Sequence, residues 1–323
     1  MTDMLLPTPD QPLRIGTRGS PPALAQAHET RARLMAAFDL PEAAFEIAVI
    51  RTTGDDRAMI AADRPLKEIG NKGLFTREIE EQLLSGGIDI AVHSMKDMPT
   101  EQPAGLVLDC YLPREDVRDA FIAPGAAGLT DLAPGTVVGT SSLRRRAQLL
   151  NRRPDLTVVE FRGNLQTRLQ KLHNGVAAAT FLAMAGLSRM GMTGGEVPMT
   201  PMSPDDMLPA VAQGAIGIER RITDDRTARM LAAIHHAPTA LRLAAERGFL
   251  ATLDGSCETP IAGLAELDGD LLRLRGEILS PDGATAWADE VSGPASQGAE
   301  LGAGLARQLL ERAGPDFFAW RNP

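Results

Sequence analysis

The chain has 323 residues, a net charge of −9 and ordinary hydrophobic content, but only one Tyr and two Trp. That length predicts two or three domains, each with ample core. The acidic balance argues against nonspecific attraction to nucleic acid or an anionic membrane, and the lack of aromatics argues against stacking platforms for bases. No apolar run reaches membrane-spanning length. Asp3 and the short Met4-Leu5-Leu6 do not suit a signal peptide, and two cysteines, Cys110 and Cys257, suit a reducing compartment better than a disulfide framework. The expectation is a cytoplasmic protein.

Residues 1–12 read as loose and Leu13–Thr17 as a short strand. A helix follows from Ala23, with Pro22 in its first turn and Leu24, Ala27, Leu34, Met35 and Phe38 at helical spacing. Phe45–Ile50 is the next strand. Arg51–Gly73 mixes charge and glycine as a long functional loop does, and is expected to act as a lid. Leu74–Leu84 returns to a helix and leads into a strand that ends at His93-Ser94, where Lys96, Asp97 and Pro99 follow within six residues. Pro99 cannot donate to a ladder, so the strand stops in a turn. In open α/β sheets ligands sit outside the carboxyl ends of strands, so an acid at this turn is expected to face a cleft.

A second unit repeats the order. Asp119–Ala123, Thr136–Gly139, Leu156–Phe161 and Ala178–Ala183 read as strands, with helices over Ser141–Asn151 and Asn164–His173. Ile15-Gly16-Thr17-Arg18 and Val138-Gly139-Thr140-Ser141 occupy equivalent places in the two units. Pro198–Pro209 reads as a linker, and Ala215–Glu219 as a strand that returns to the first unit. Beyond Thr223 the register changes. Helices over Ala228–His235 and Thr239–Leu250 precede a turn-rich loop around Cys257. Three antiparallel strands then follow, Ile261–Glu266, Leu271–Leu279 and Ala284–Val291, with Asp268-Gly269 and Asp282-Gly283 as turns, and a closing helix covers Gln297–Arg312.

One stretch of this acidic chain is strongly basic. Arg144, Arg145, Arg146, Arg152, Arg153, Arg162, Arg168 and Lys171 face only Asp155 and Glu160 over the same span. Arg144 and Arg145 sit in a helix's first turn, where the dipole prefers anions, which suggests a compensating anionic ligand. Ser141 and Ser142 add donors for the same anion. Arg18, Ser20, Arg162 and Arg168 occupy corresponding strand ends, and several such ends would hold a polyanion. Arg146, Arg152 and Arg153 read instead as solvated surface. Cys257 follows Gly255-Ser256 in an accessible loop, which favours reactivity and covalent attachment, whereas Cys110 reads as structural. His28, His93, His173, His235 and His236 have no ligand-like spacing, so no metal is expected, and His93 reads as a strand-end packing or hydrogen-bonding residue.

Taken together, several segments resemble the porphobilinogen deaminase (hydroxymethylbilane synthase) family in family order. They are Arg14-Ile15-Gly16-Thr17-Arg18, Lys72-Gly73-Leu74-Phe75, the run Ala91 to Asp97, Arg114-Glu115-Asp116 with Arg118-Asp119-Ala120-Phe121, and Val138 to Arg145. Arg162-Gly163-Asn164, Gln213 to Glu219, Glu246-Arg247 and Gly255 to Pro260 complete the set. The resemblance implies an α/β fold with two doubly wound domains like the lobes of periplasmic binding proteins around a cleft, plus a C-terminal α+β domain with a three-stranded antiparallel sheet. The boundaries expected are 10–112 with 213–232, 117–205 and 237–323.

It further implies stepwise deaminative condensation of four porphobilinogen molecules into linear hydroxymethylbilane, on a dipyrromethane cofactor joined by a thioether to Cys257. The catalytic carboxylate maps to Asp97. Lys96, Ser94, Ser142, Arg144 and Arg145 map to positions that grip the cofactor's carboxylate arms, and Arg18, Ser20, Arg162, Arg168 and Arg189 to positions around the substrate and growing chain. The expected partner is this small molecule alone, with no nucleic acid, no membrane and a monomeric chain. Ser256 stands where the family usually has Gly, Gly19 where Gln is common, and Arg77 where Lys is frequent. The rival reading from composition and fold is a non-catalytic two-lobed binding protein for an anionic small molecule, which would have no use for Cys257.

Overall fold

The computed structural model describes residues 5–52, 76–194, 199–255 and 259–321. Among these, residues 5–52, 76–115 and 215–240 form one compact unit, and those within 116–214 and 241–321 form a second.

The first unit is built on a sheet of order β2-β1-β3-β10-β4, made of β1 (Leu13–Arg18), β2 (Phe45–Ile50), β3 (Ile90–Ser94), β4 (Leu106–Tyr111) and β10 (Ile216–Arg221). β1 pairs in parallel with β2 and β3, while β10 runs antiparallel between β3 and β4. The returning strand expected at Ala215–Glu219 is thus present. The sheet is mixed where an all-parallel unit was expected, because a strand arriving from 215 enters without a right-handed crossover helix. Helix α1 (Pro21–Phe38) seats Ala27 and Leu34 with Leu13, Ile15, Ile90 and Val92 on one face. Helix α2 (Arg77–Leu84) seats Ile79 and Leu83 with Ile88 and Ala91 in a separate cluster. Strand β4 is an addition to the sequence reading, although Leu106, Leu108 and Cys110 alternate as buried residues along it. Helix α6 (Asp225–Ala232) adds Met230 and Leu231 to the first cluster.

The second unit carries a sheet of order β7-β6-β8-β5-β9, from β5 (Asp119–Ile122), β6 (Val137–Gly139), β7 (Thr157–Val159), β8 (Ala179–Ala183) and β9 (Met199–Pro201). Its plan copies the first sheet, with β6 parallel to β7 and β8, and β5 antiparallel between β8 and β9. Helix α3 (Leu143–Arg152) supplies Leu149 to a core with Phe121, Val138 and Phe181. Helices α4 (Leu165–His173) and α5 (Met184–Arg189) supply Leu165, Leu172 and Leu187 to another with Ile122 and Phe161. The expected linker over Pro198–Pro209 is corrected in part: Met199–Pro201 pairs with β5 as an edge strand, where Pro201 is tolerated.

The same unit holds the predicted antiparallel sheet, β11 (Ile261–Asp268), β12 (Leu271–Leu279) and β13 (Ala286–Pro294). Leu272, Leu274 and Ile278 of β12 are buried, as are Phe249 of α7 (Ala237–Thr252) and Leu305 and Leu309 of α8 (Gly298–Ala313). No described helix is long and apolar enough to cross a membrane.

Candidate functional site

In the first unit the side chains expected to form the site stand at the carboxyl ends of β1 and β3. Strand β3 ends at Ser94, and a short 3-10 turn over Met95–Asp97 follows. Met95 and Met98 are buried, so the turn is pinned by its apolar residues and leaves Lys96 and Asp97 partly exposed. The Met95 amide donates to Ala215 O at 3.0 Å, which ties the turn to the start of β10. Gly217 of β10 leaves the room: a Cβ there would collide with Met95 Sδ. Arg18 closes β1, and its Nη1 lies 3.8 Å from Asp97 Oδ2. That separation is an ion pair without a direct hydrogen bond.

Ser20 is the N-cap of α1 but makes no capping hydrogen bond there. Ser94 Oγ lies 2.7 Å from Gln26 Nε2, whose buried amide holds it from α1. Gln26 was not singled out by sequence, because nothing in its spacing marks it as facing Ser94. His93 forms a hydrogen bond through Nε2 with Glu219 Oε2 at 3.1 Å, both side chains being buried, as its reading as a strand-end hydrogen-bonding residue anticipated. Burial, reinforced by the charge of Glu219, raises the carboxyl pKa of Glu80 nearby.

In the second unit the basic stretch is organised by one carboxylate. Arg144 Nη2 donates to Asp119 Oδ2 at 2.7 Å and Arg145 Nη2 to Asp119 Oδ1 at 2.8 Å. Arg144 Nη1 also reaches Leu208 O, and Arg145 Nη1 reaches Phe181 O. Burial alone would push the Asp119 carboxyl pKa up; the two guanidinium groups overcome this and hold it well below the ordinary carboxylate range. The anion that the helix-dipole argument demanded therefore comes from the chain itself, on β5. Glu277, the other carboxylate acting on Arg144, is paired with Arg152, so two cations against Asp119 still leave a positive charge, and the Nε atoms of Arg144 and Arg145 are buried without a partner among the described residues. That surplus fits a bound carboxylate. Ser142 caps α3, accepting the Arg145 amide at 3.4 Å.

Arg168 joins the same cluster, its Nη1 3.3 Å from Phe181 O and its Nε 2.9 Å from Gly163 O. Arg162 is buried in the turn before α4, where Gly163 has a φ of 115° that only glycine takes easily. Arg189 Nη2 donates to Gly214 O at 3.0 Å. Arg153 pairs at the surface with the exposed Asp155 and also donates to Leu132 O, in keeping with the expectation of surface, whereas Arg152 pairs with the buried Glu277 at 3.4 Å, which corrects that expectation for Arg152. Asp119 and Gln213 were not singled out as organising the arginines, although both stand in the quoted motifs; Gln213 Nε2 donates to Asp119 Oδ1 at 2.9 Å. Cys257, Lys72 to Phe75 and the expected lid beyond Thr52 lie outside the described residues. Cys110 is buried, its Sγ 3.4 Å from Leu231 O, and burial pushes its thiol up to about 12, as befits a structural residue.

Fold and sites together define an α/β protein with arginine-rich strand ends suited to a carboxylate-bearing small molecule, and an acid held beside one arginine. Residues 13–229 match the family model "Porphobilinogen deaminase, dipyromethane cofactor binding domain", and residues 240–311 match "Porphobilinogen deaminase, C-terminal domain". The chain belongs to the porphobilinogen deaminase family. It is 66% identical to the porphobilinogen deaminase of Paracoccus denitrificans over 99% of this chain and 100% of that one. It is 54% identical to the chloroplastic porphobilinogen deaminase of Pisum sativum, over 95% of this chain and 83% of that one. Among solved structures, the methionine binding protein MetQ aligns at a TM-score of 0.42 and 12% identity, over 71% of this chain and 91% of that one.

Proposed function

We propose that this chain is a porphobilinogen deaminase, a transferase that condenses four porphobilinogen molecules head to tail into hydroxymethylbilane with release of ammonia. The observation that carries this reading is the placement of Asp97, partly exposed at the end of β3 with Arg18 Nη1 at 3.8 Å. Loss of ammonia from porphobilinogen leaves a cationic methylene-pyrrolenine, and a fixed carboxylate beside the pyrrole nitrogen both stabilises that cation and accepts the N–H hydrogen bond. Arg18 balances the acid without taking its hydrogen-bonding capacity. Ser20, Arg162, Arg168 and Arg189 hold the acetate and propionate arms of substrate and growing chain.

The surplus positive charge around Asp119 fits the dipyrromethane cofactor, with Arg144, Arg145, Ser142, Ser94 and Lys96 as its carboxylate holders and Cys257 as its point of attachment. When bound, the cofactor supplies the pyrrole position on which the chain is extended. On this reading each of the three sheets belongs to its own domain, over 10–112 with 213–232, 117–205 and 237–323, and the enzyme works as a cytoplasmic monomer. Purified protein given porphobilinogen is expected to release ammonia and form hydroxymethylbilane, and Asp97→Ala to abolish both. Binding of porphobilinogen without turnover by the wild type would favour the non-catalytic alternative instead.

A further inference from the structure

The second unit contains a buried carboxylate that the proposed chemistry leaves unused. Glu246 of α7 has no solvent exposure. Its Oε2 accepts the Ala212 amide at 2.6 Å and its Oε1 accepts the Ala265 amide at 2.8 Å, so one side chain fastens the segment before Gly214 to strand β11. Ala212 has a φ of 61°, in the left-handed region where a side chain is strained, and Gly214 follows at 86°. A backbone of this kind persists only where its surroundings enforce it.

The segment so held is where the arginine cluster is anchored. Leu208 O receives Arg144 Nη1 at 2.8 Å and Gln148 Nε2 at 2.9 Å. Gln213 Nε2 donates to Asp119 Oδ1 at 2.9 Å and to Val117 O at 2.8 Å. Gly214 O receives Arg189 Nη2 at 3.0 Å. Arg144, Arg189 and, through Asp119, Arg145 therefore take their positions from residues 208–214. Only a carboxylate satisfies both amides at once, since a glutamine would turn an NH2 group towards one of them.

We propose that Glu246 is a positioning residue which enforces the left-handed backbone at Ala212 and thereby sets Arg144, Arg145 and Arg189 for the carboxylates of cofactor and substrate. The inference rests on the function proposed above. The proposed chemistry assigns Glu246 no part in the reacting step, and Asp97 lies in the other unit, so the defect of a variant should fall on binding more than on the chemical step.

The test uses the full-length enzyme with intact-mass reading of dipyrromethane occupancy and steady-state kinetics. Glu246→Gln should raise KM for porphobilinogen about tenfold, with kcat changed less than about threefold, because misplaced clamps weaken binding while the acid is untouched. Adding Ala212→Gly, which removes the cost of a positive φ, should bring KM most of the way back. Should Glu246→Gln fail to fold, Ala212→Val strains the same turn and must raise KM with Glu246 intact. A folded Glu246→Gln or Ala212→Val with wild-type KM and occupancy would overturn the proposal, as would a defect that Ala212→Gly leaves in place. Wild-type protein without turnover or added mass would sink the underlying activity instead.

Discussion

Arg18 Nη1 stands 3.8 Å from Asp97 Oδ2, across the ends of two neighbouring parallel strands. The pair is partly solvated, and such pairs contribute about 1 kcal/mol or less. Asp97→Ala should therefore leave stability within about 1 kcal/mol of wild type. Turnover should fall at least about 10²-fold, the scale of a lost acid–base or electrostatic group. Denaturant unfolding and product formation, measured on the same preparation, check the two halves; a large loss of stability would make Asp97 structural.

Met95 Sδ occupies the space into which a Cβ at Gly217 would project. Gly217→Ala forces the buried methionine to shift, and overpacking of this kind costs about 1–3 kcal/mol. Because Met95 begins the turn that carries Lys96 and Asp97, turnover should fall along with the unfolding midpoint. A stable variant with wild-type turnover would show that the turn is not held through this contact.

Asp119 has a carboxyl pKa below its unfolded value of about 3.9. The stability it contributes is fully present above that value and is lost as pH falls towards the folded value. Asp119→Asn leaves two buried guanidinium groups without their anion, at a cost of about 3–5 kcal/mol at neutral pH. The gap between wild type and variant, read from denaturant unfolding, should narrow below about pH 4. A gap that stays constant down to pH about 3 would mean that charge is not what Asp119 supplies.

Much of this arrangement was legible in the chain because it follows local rules. A strand pattern broken by a proline announced the Asp97 turn, and the recurrence of Gly-Thr before a helix announced two sheets of one plan. What the sequence could not show depends on which strands become neighbours. Asp119 is 25 residues from Arg144, and only the insertion of β5 beside β8 brings it under α3. Likewise Glu246 meets Ala212 across 34 residues, through no periodicity in either segment. Strand β9, three residues long, is too short to carry a pattern of its own.

The two cysteines are expected to behave oppositely. Cys110, buried and with its thiol pushed up to about 12, should resist alkylation in native protein and react once unfolded. With Cys257 occupied by a thioether, unfolded holoenzyme should show one titratable thiol, and two would place the attachment elsewhere or nowhere.

Intact-mass spectrometry of active protein, before and after porphobilinogen, tests the account most directly. It predicts a chain heavier than its sequence by one dipyrromethane, stepwise gains of one pyrrole unit on substrate addition, and an adduct confined to the peptide containing Cys257. A bare chain in fully active enzyme, or an adduct surviving in Cys257→Ser, would contradict it.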